Sequence, residues 1–200
     1  MPTSEPLPLR ERKQQRAREQ IVTAAFELFA ERGFAAVTVT DIAERAEVGR
    51  TTFFRYFGDK QEVVFSDEQA IVEKATTRFR ASPPVTDLAG AVAQLRAIAV
   101  ELCRELTVDG EHYRRHEQLL RENPELRDRS GRKFAGLCDV FRTTLLDRGA
   151  SPEVAVLAPQ LALACYAAGN ALANGEPALL PGAVDSAFAR LDDLAHRDHA

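Results

Sequence analysis

Thr38-Val39-Thr40-Asp41-Ile42-Ala43-Glu44-Arg45-Ala46-Glu47-Val48-Gly49-Arg50-Thr51-Thr52-Phe53-Phe54-Arg55-Tyr56-Phe57-Gly58-Asp59-Lys60 is the stretch whose reading decides the fold. Thr38 followed three positions later by an acid, Asp41, is a capping-box start, so a short helix is expected to about Ala46. Glu47-Val48-Gly49 interrupts it. Arg50 to Phe57 reads as a second short helix, ended by Gly58-Asp59. Two short helices across a tight turn have the form of a helix-turn-helix.

The second helix has the composition such a motif requires. Phe53 and Phe57, at i and i+4, are the expected buried anchors, which turns Arg50, Thr51, Thr52, Phe54, Arg55 and Tyr56 largely outward. Arginine at a helix start can bond guanine O6 and N7 in bidentate fashion, and threonine methyls or a phenylalanine ring can meet thymine methyls. These residue types predict a helix that enters a DNA major groove.

Outward from this stretch, the chain reads as helix throughout. Pro2, Pro6 and Pro8 mark a disordered tail over residues 1–11, and Ile21, Ala25, Leu28 and Phe29 keep helical spacing up to the stop at Gly33. A long helix is expected over 60–79, started by Asp59 and Glu62. Ser82-Pro83-Pro84 is the sharpest break. Further helices follow at 87–107, 111–122, 124–148, 152–174 and 182–197. No segment alternates as a strand does, and no repeat is found. The expected class is all-α, with about nine helices. The expected domains are 12–60, a helix-turn-helix DNA-binding domain, and 61–200, an effector-binding and dimerisation domain.

Charge is divided unequally. The chain has 200 residues and a net charge of −4, against a protein that coats nucleic acid indiscriminately. Arg10, Arg12, Lys13, Arg16 and Arg18 nevertheless face only Glu11 across residues 10–18. This basic arm on an acidic remainder suggests one end turned toward a polyanion. Cys103, Cys138 and Cys165 are too far apart for a metal knuckle and fit a reducing cytosol. No secretory signal is read at the N-terminus, and no apolar run is read as approaching the ~20 residues of a membrane span. A cytoplasmic protein without membrane contact is therefore expected.

Residues 21–64 resemble the DNA-binding domain of the TetR/AcrR family of bacterial transcriptional regulators. The resemblance is carried by Ile-Val-Thr-Ala-Ala-Phe-Glu-Leu-Phe-Ala-Glu-Arg-Gly-Phe (21–34), Thr-Val-Thr-Asp-Ile-Ala-Glu-Arg-Ala-Glu-Val (38–48) and Thr-Phe-Phe-Arg-Tyr-Phe-Gly-Asp-Lys-Gln-Glu-Val-Val (52–64), in order and spacing together. It implies a homodimer that binds a palindromic double-stranded DNA operator and is released by a small-molecule effector, most simply a repressor. An activator, a ligand-independent regulator, or an all-α small-molecule carrier with a vestigial DNA-binding head are the alternatives. It further implies that Thr38 caps the second helix and touches phosphate, and that Thr40 faces the groove. Arg50 and Thr51 would read bases, while Thr52, Tyr56 and Lys60 would grip phosphates. Two positions depart from the family pattern: Phe54 stands where tyrosine is usual, and Glu47 where glycine is usual. The second leaves open whether the turn moves its positive-φ residue or holds a glutamate there.

The remainder is less specific. Leu102, Tyr113, His116, Leu120, Phe134, Leu137, Phe141 and Tyr166 have spacings suited to lining an effector pocket. His112, Arg114, Arg115 and His116 form a cluster suited to a carboxylate or phosphate. His112 and His116 are i, i+4, but no third ligand is evident, so no metal is expected. No nucleophile elbow, phosphate loop or dinucleotide fingerprint is present; neither catalysis nor a cofactor is expected. Ala162, Ala164, Ala167, Ala168, Gly169, Ala171 and Ala173, followed by Ala183, Ala187, Phe188, Leu191 and Leu194, suit two helices that pair across a two-fold axis.

Overall fold

A computed structural model of the chain describes residues 8–197. These residues form ten helices and, among themselves, no strand. They divide into two compact units, Met1–Asp67 and Glu68–Ala200. The expected disordered tail falls, for residues 1–7, outside the described residues; from Leu9 onward the chain is helical.

The first unit holds α1 (Leu9–Arg32), α2 (Val39–Arg45), α3 (Arg50–Tyr56) and α4 (Lys60–Val64). Gly33 ends α1 at φ 77°, its N–H bonded to the Phe29 carbonyl. The capping box forms: the Thr38 N–H donates to Asp41 Oδ2 at 2.8 Å, and the Asp41 N–H donates to Thr38 Oγ1 at 3.2 Å. Arg45 ties α2 to α1 through two parallel 2.9 Å bonds to the Glu31 carboxylate. Ile21, Leu28, Phe29, Phe34, Val37, Ile42, Phe53, Phe57 and Val63 are buried. Small as it is, the unit owns an aromatic core, with Phe29 and Phe34 at 5.0 Å and Phe53 and Phe57 at 5.8 Å between ring centroids.

The helix expected over 60–79 is two helices, which raises the count from nine to ten. α4 ends at Val64, and α5 (Glu68–Ala81) starts after a turn at Phe65-Ser66-Asp67. Val63, Val64, Phe65 and Ser66 are all buried. Four successive residues sweep about 300° around a helix axis, so no single stripe of one straight helix can bury them all. Beyond the turn, Ala75 and Phe79 belong to the core of the second unit. The units accordingly divide after Asp67.

The second unit continues with α6 (Leu88–Leu106), α7 (Gly110–Glu122), α8 (Pro124–Asp147), α9 (Pro152–Ala173) and α10 (Leu180–Arg197). Asp87, Asp109 and Ser151 cap α6, α7 and α9. α9 is the central helix and packs on α6, α8 and α10. It closes with Asn174 and Gly175 in left-handed conformations. Its approach to α10 is close: a Cβ at Gly169 would lie 2.5 Å from Val184 Cα. At 22 residues, α9 is long and apolar enough to cross a membrane by length and composition alone. This corrects the expectation that no apolar run approaches a span. Ala155, Ala158, Pro159, Cys165, Gly169 and Ala173 along it are nevertheless buried within the unit.

Candidate nucleic-acid interface

α3 is positioned from beneath and from both ends. Phe53 is fully buried and Phe57 nearly so, so both aromatics of the i, i+4 pair point into the core. At the start, the Gly49 carbonyl accepts from Thr52 N at 2.8 Å and from Phe53 N at 3.1 Å. The preceding turn takes the second of the two forms left open: Glu47 itself adopts φ 54°, while Gly49 sits at an ordinary φ of −70°. A side chain therefore occupies the left-handed position where glycine is cheapest.

The outward side carries a mixed chemistry. Arg50, Thr51, Arg55 and, on α2, Thr40 are exposed. Phe54 exposes 49% of its surface, although its ring stands edge-on to Phe53 at 5.5 Å. Arg55 lies over the half-buried Tyr56 ring at 5.1 Å. Two guanidinium groups, three hydroxyls (Thr51, Thr52 and Tyr56) and an apolar ring on one helix supply donors for phosphate or guanine and an apolar contact for a methyl group. Thr52 is half-buried.

Three predicted residues have internal duties. The Thr38 hydroxyl donates to Asp41 Oδ2 at 2.5 Å. This bond, with the Thr38 N–H and the nearby Arg32, holds the Asp41 carboxyl below its usual range. Lys60 turns its ammonium onto the carbonyls of Phe34 at 2.7 Å, Ala35 at 3.3 Å and Val37 at 2.9 Å. It also lies 4.4 Å from the Phe34 ring centre. An ammonium has three donors, and three carbonyls take them up, so Lys60 closes the loop between α1 and α2. Arg18 of the basic arm likewise donates to the Ser66 carbonyl and lies 5.6 Å over the Phe57 ring.

In the second unit, the predicted effector residues separate into two sets. Leu102, Tyr113 and Phe141 are buried; Phe141 pairs with Phe79 at 5.1 Å as plain core. His116, Leu120, Phe134, Leu137 and Tyr166 are only partly buried. Phe134 on α8 and Tyr166 on α9 stack at 5.1 Å. Sequence reasoning missed Glu117 and Asn170. The Tyr113 hydroxyl donates to Asn170 Oδ1 at 2.9 Å, and Asn170 Nδ2 donates to Glu117 Oε2 at 3.1 Å. His116 Nδ1 lies 3.5 Å from Glu117 Oε1. Burial pushes the Glu117 carboxyl up, but His116, Asn170 and the charge of Arg121 together outweigh it and leave the group below its usual range. The signal was available: Glu117 stands at i+4 from Tyr113, on the apolar side of α7. Arg114 and Arg115, read as anion receptors, are exposed and paired with Glu176 and Glu111. Among the described residues, no group of three or more His, Cys, Asp or Glu could hold a metal.

Comparison with known proteins agrees with this geometry. Residues 21–66, which span α2, α3 and α4 and the second half of α1, match the bacterial regulatory proteins of the tetR family. The HTH-type transcriptional regulator TcmR of Streptomyces glaucescens is 39% identical over 87 residues, covering 42% of this chain and 38% of TcmR. The chain spans about two-fifths of the length of the first curated relatives it matches. Over the whole fold, SmeT, the repressor of the Stenotrophomonas maltophilia multidrug efflux pump SmeDEF, superposes in its triclosan complex with a TM-score of 0.57 at 23% identity, covering 87% of this chain and 90% of SmeT. Thermus thermophilus FadR, a TetR-family repressor in complex with lauroyl-CoA, does so at 0.50 and 23% identity, covering 88% and 92%. The likeness to the tetR family is carried by residues 21–66, and the likeness to the solved structures extends the shared fold to the second unit.

Proposed function

We propose that the chain is a ligand-responsive transcriptional regulator, a repressor that binds a palindromic DNA operator as a homodimer in the cytoplasm and is released by a small-molecule effector. The observation that carries this reading is the outer side of α3. Arg50, Thr51 and Phe54 are exposed on a helix whose other side is locked by Phe53 and Phe57. Guanidinium donors, hydroxyls and an apolar ring together on one exposed helix side match the hydrogen-bonding edges and thymine methyls of a major groove. In this reading Arg50 and Thr51 read bases, Phe54 meets a methyl group, Arg55, Thr52 and Tyr56 hold phosphates, and Thr40 faces the groove.

The homodimer is supported by the free side of α9. Val156, Leu157, Ala164, Ala167, Ala168 and Leu172 are exposed on it, and Val156, Leu157 and Leu172 expose 50%, 39% and 72% of their surfaces. Small residues permit close helix approach, and a two-fold axis pairs such a surface with itself. The effector acts by favouring a conformation in which the two helix-turn-helix motifs do not match successive major grooves. SmeT and FadR, each solved with a small molecule, support an effector for this chain as well.

Selection from random duplexes tests the reading. A palindromic word should be enriched, its binding should weaken steeply with salt, and Arg50→Ala should relax one position of each half-site by roughly 1–3 kcal/mol. Return of unenriched sequence would refute it.

A further inference from the structure

We infer that Glu117, backed by Asn170 and Tyr113, is the charged end of the effector site, and that the site takes an amphiphilic organic cation whose apolar part lies on Phe134 and Tyr166. The inference rests on the reading of the second unit as an effector domain and names the chemistry of that effector.

Glu117 keeps only 8% of its surface exposed, and a carboxylate withdrawn from water is costly unless paired. Its contacts are the neutral amide of Asn170 at 3.1 Å and the His116 ring at 3.5 Å. A carboxylate offers about four lone-pair sites, so these two contacts leave it able to accept from a ligand. Arg121 acts on it only as a nearby charge from an exposed position. Asn170 cannot rotate away without also losing the Tyr113 hydroxyl, which it accepts at 2.9 Å. The carboxylate is thus held in one orientation by a chain running from α7 to α9 and back.

The apolar half is built beside it. Leu137 and Tyr166 pack against the core cluster yet remain partly exposed, as wall residues do and closed-core residues do not. Tyr166 stands one turn before Asn170 on α9, and Asn170 donates to Glu117 Oε2 at 3.1 Å, so the Phe134–Tyr166 stack lies one helical turn from the group that holds the carboxylate. Aromatic faces next to an anion suit an ammonium or similar cation twice over. The opposite assignment, an anionic effector held by Arg114 and Arg115, fails on placement: both are exposed and occupied by Glu176 and Glu111.

Calorimetric titration of the full chain, without DNA, tests this with benzyltrimethylammonium as the cationic probe and benzylphosphonate as an anion of similar size. The cation should bind and the anion should bind at least tenfold more weakly. Glu117→Gln should weaken the cation by about 10- to 100-fold, the worth of a contact to a charged group, with an unchanged melting profile. Glu117→Asp, which keeps the charge, should retain the preference for the cation and covers the case in which the amide variant folds poorly. Preference for the phosphonate, absence of cation binding, or undiminished binding by Glu117→Gln would overturn the assignment. Cation binding with no enriched DNA word would leave the assignment standing and sink the regulator instead.

Discussion

Gly169→Ala isolates the packing of α9 on α10. Replacing a mid-helix glycine with alanine ordinarily stabilises by roughly 0.5–1 kcal/mol, because glycine loses more backbone freedom on folding. At Gly169 the new methyl group would lie 2.5 Å from Val184 Cα, 2.6 Å from Val184 N and 2.7 Å from Val184 Cγ2. Two of these atoms are backbone, so relief requires α10 to move as a body. Overpacking of this kind costs roughly 1–3 kcal/mol, and with backbone in the way the upper half of that range applies. The balance is a net loss of about 1–2 kcal/mol. Gly136→Ala in α8 is the control, since nothing lies within 4 Å of its added Cβ; it should gain roughly 0.5–1 kcal/mol. Urea unfolding of the three proteins measures both, read as shifts in midpoint at constant slope. Equal or greater stability of Gly169→Ala would show that the helices are not in contact there.

Glu47→Gly should stabilise the chain by about 1 kcal/mol, the cost of a side chain in the left-handed region, seen as a raised urea midpoint. Lys60→Met keeps the stem but removes the ammonium from three carbonyls. It should destabilise the first unit by roughly 1.5–3 kcal/mol, seen as faster hydrogen exchange at Phe34 to Thr38, whereas a purely phosphate-binding lysine would leave exchange unchanged. The Asp41 carboxyl is held down chiefly by Thr38. Its contribution is therefore present above the ordinary carboxylate range and lost as pH falls through the lowered value, so Asp41→Asn should flatten the acid limb of stability against pH. Burial raises all three thiols, Cys103 to about 12. Iodoacetamide at neutral pH should leave them unmodified until the chain unfolds.

Local signals were legible in the sequence. Thr38 with Asp41 and Asp59 with Glu62 mark helix starts by bonds spanning three residues, and the structure makes those bonds. The sides of α3 were legible for the same reason, since Phe53 and Phe57 fix its rotation. What escaped depends on distant parts of the chain. The turn at 65–67 arises because residues on either side of it serve different cores, which no local pattern records. Lys60 and Arg18 end on carbonyls more than twenty positions away, and a long flexible side chain does not announce its destination. Glu117 looked like one more surface acid until Asn170, fifty-three positions on, was folded against it.

The turn at Phe65-Ser66-Asp67 also decides how the molecule can be dissected. A fragment ending at Lys60 would carry the whole helix-turn-helix yet lack Val63, Val64 and Phe65, three buried apolar side chains. It would lack as well the Ser66 carbonyl that receives Arg18. One ending at Asp67 retains them all. Residues 61–67 thus complete the core of the first unit, and a fragment cut to contain that core has to include them.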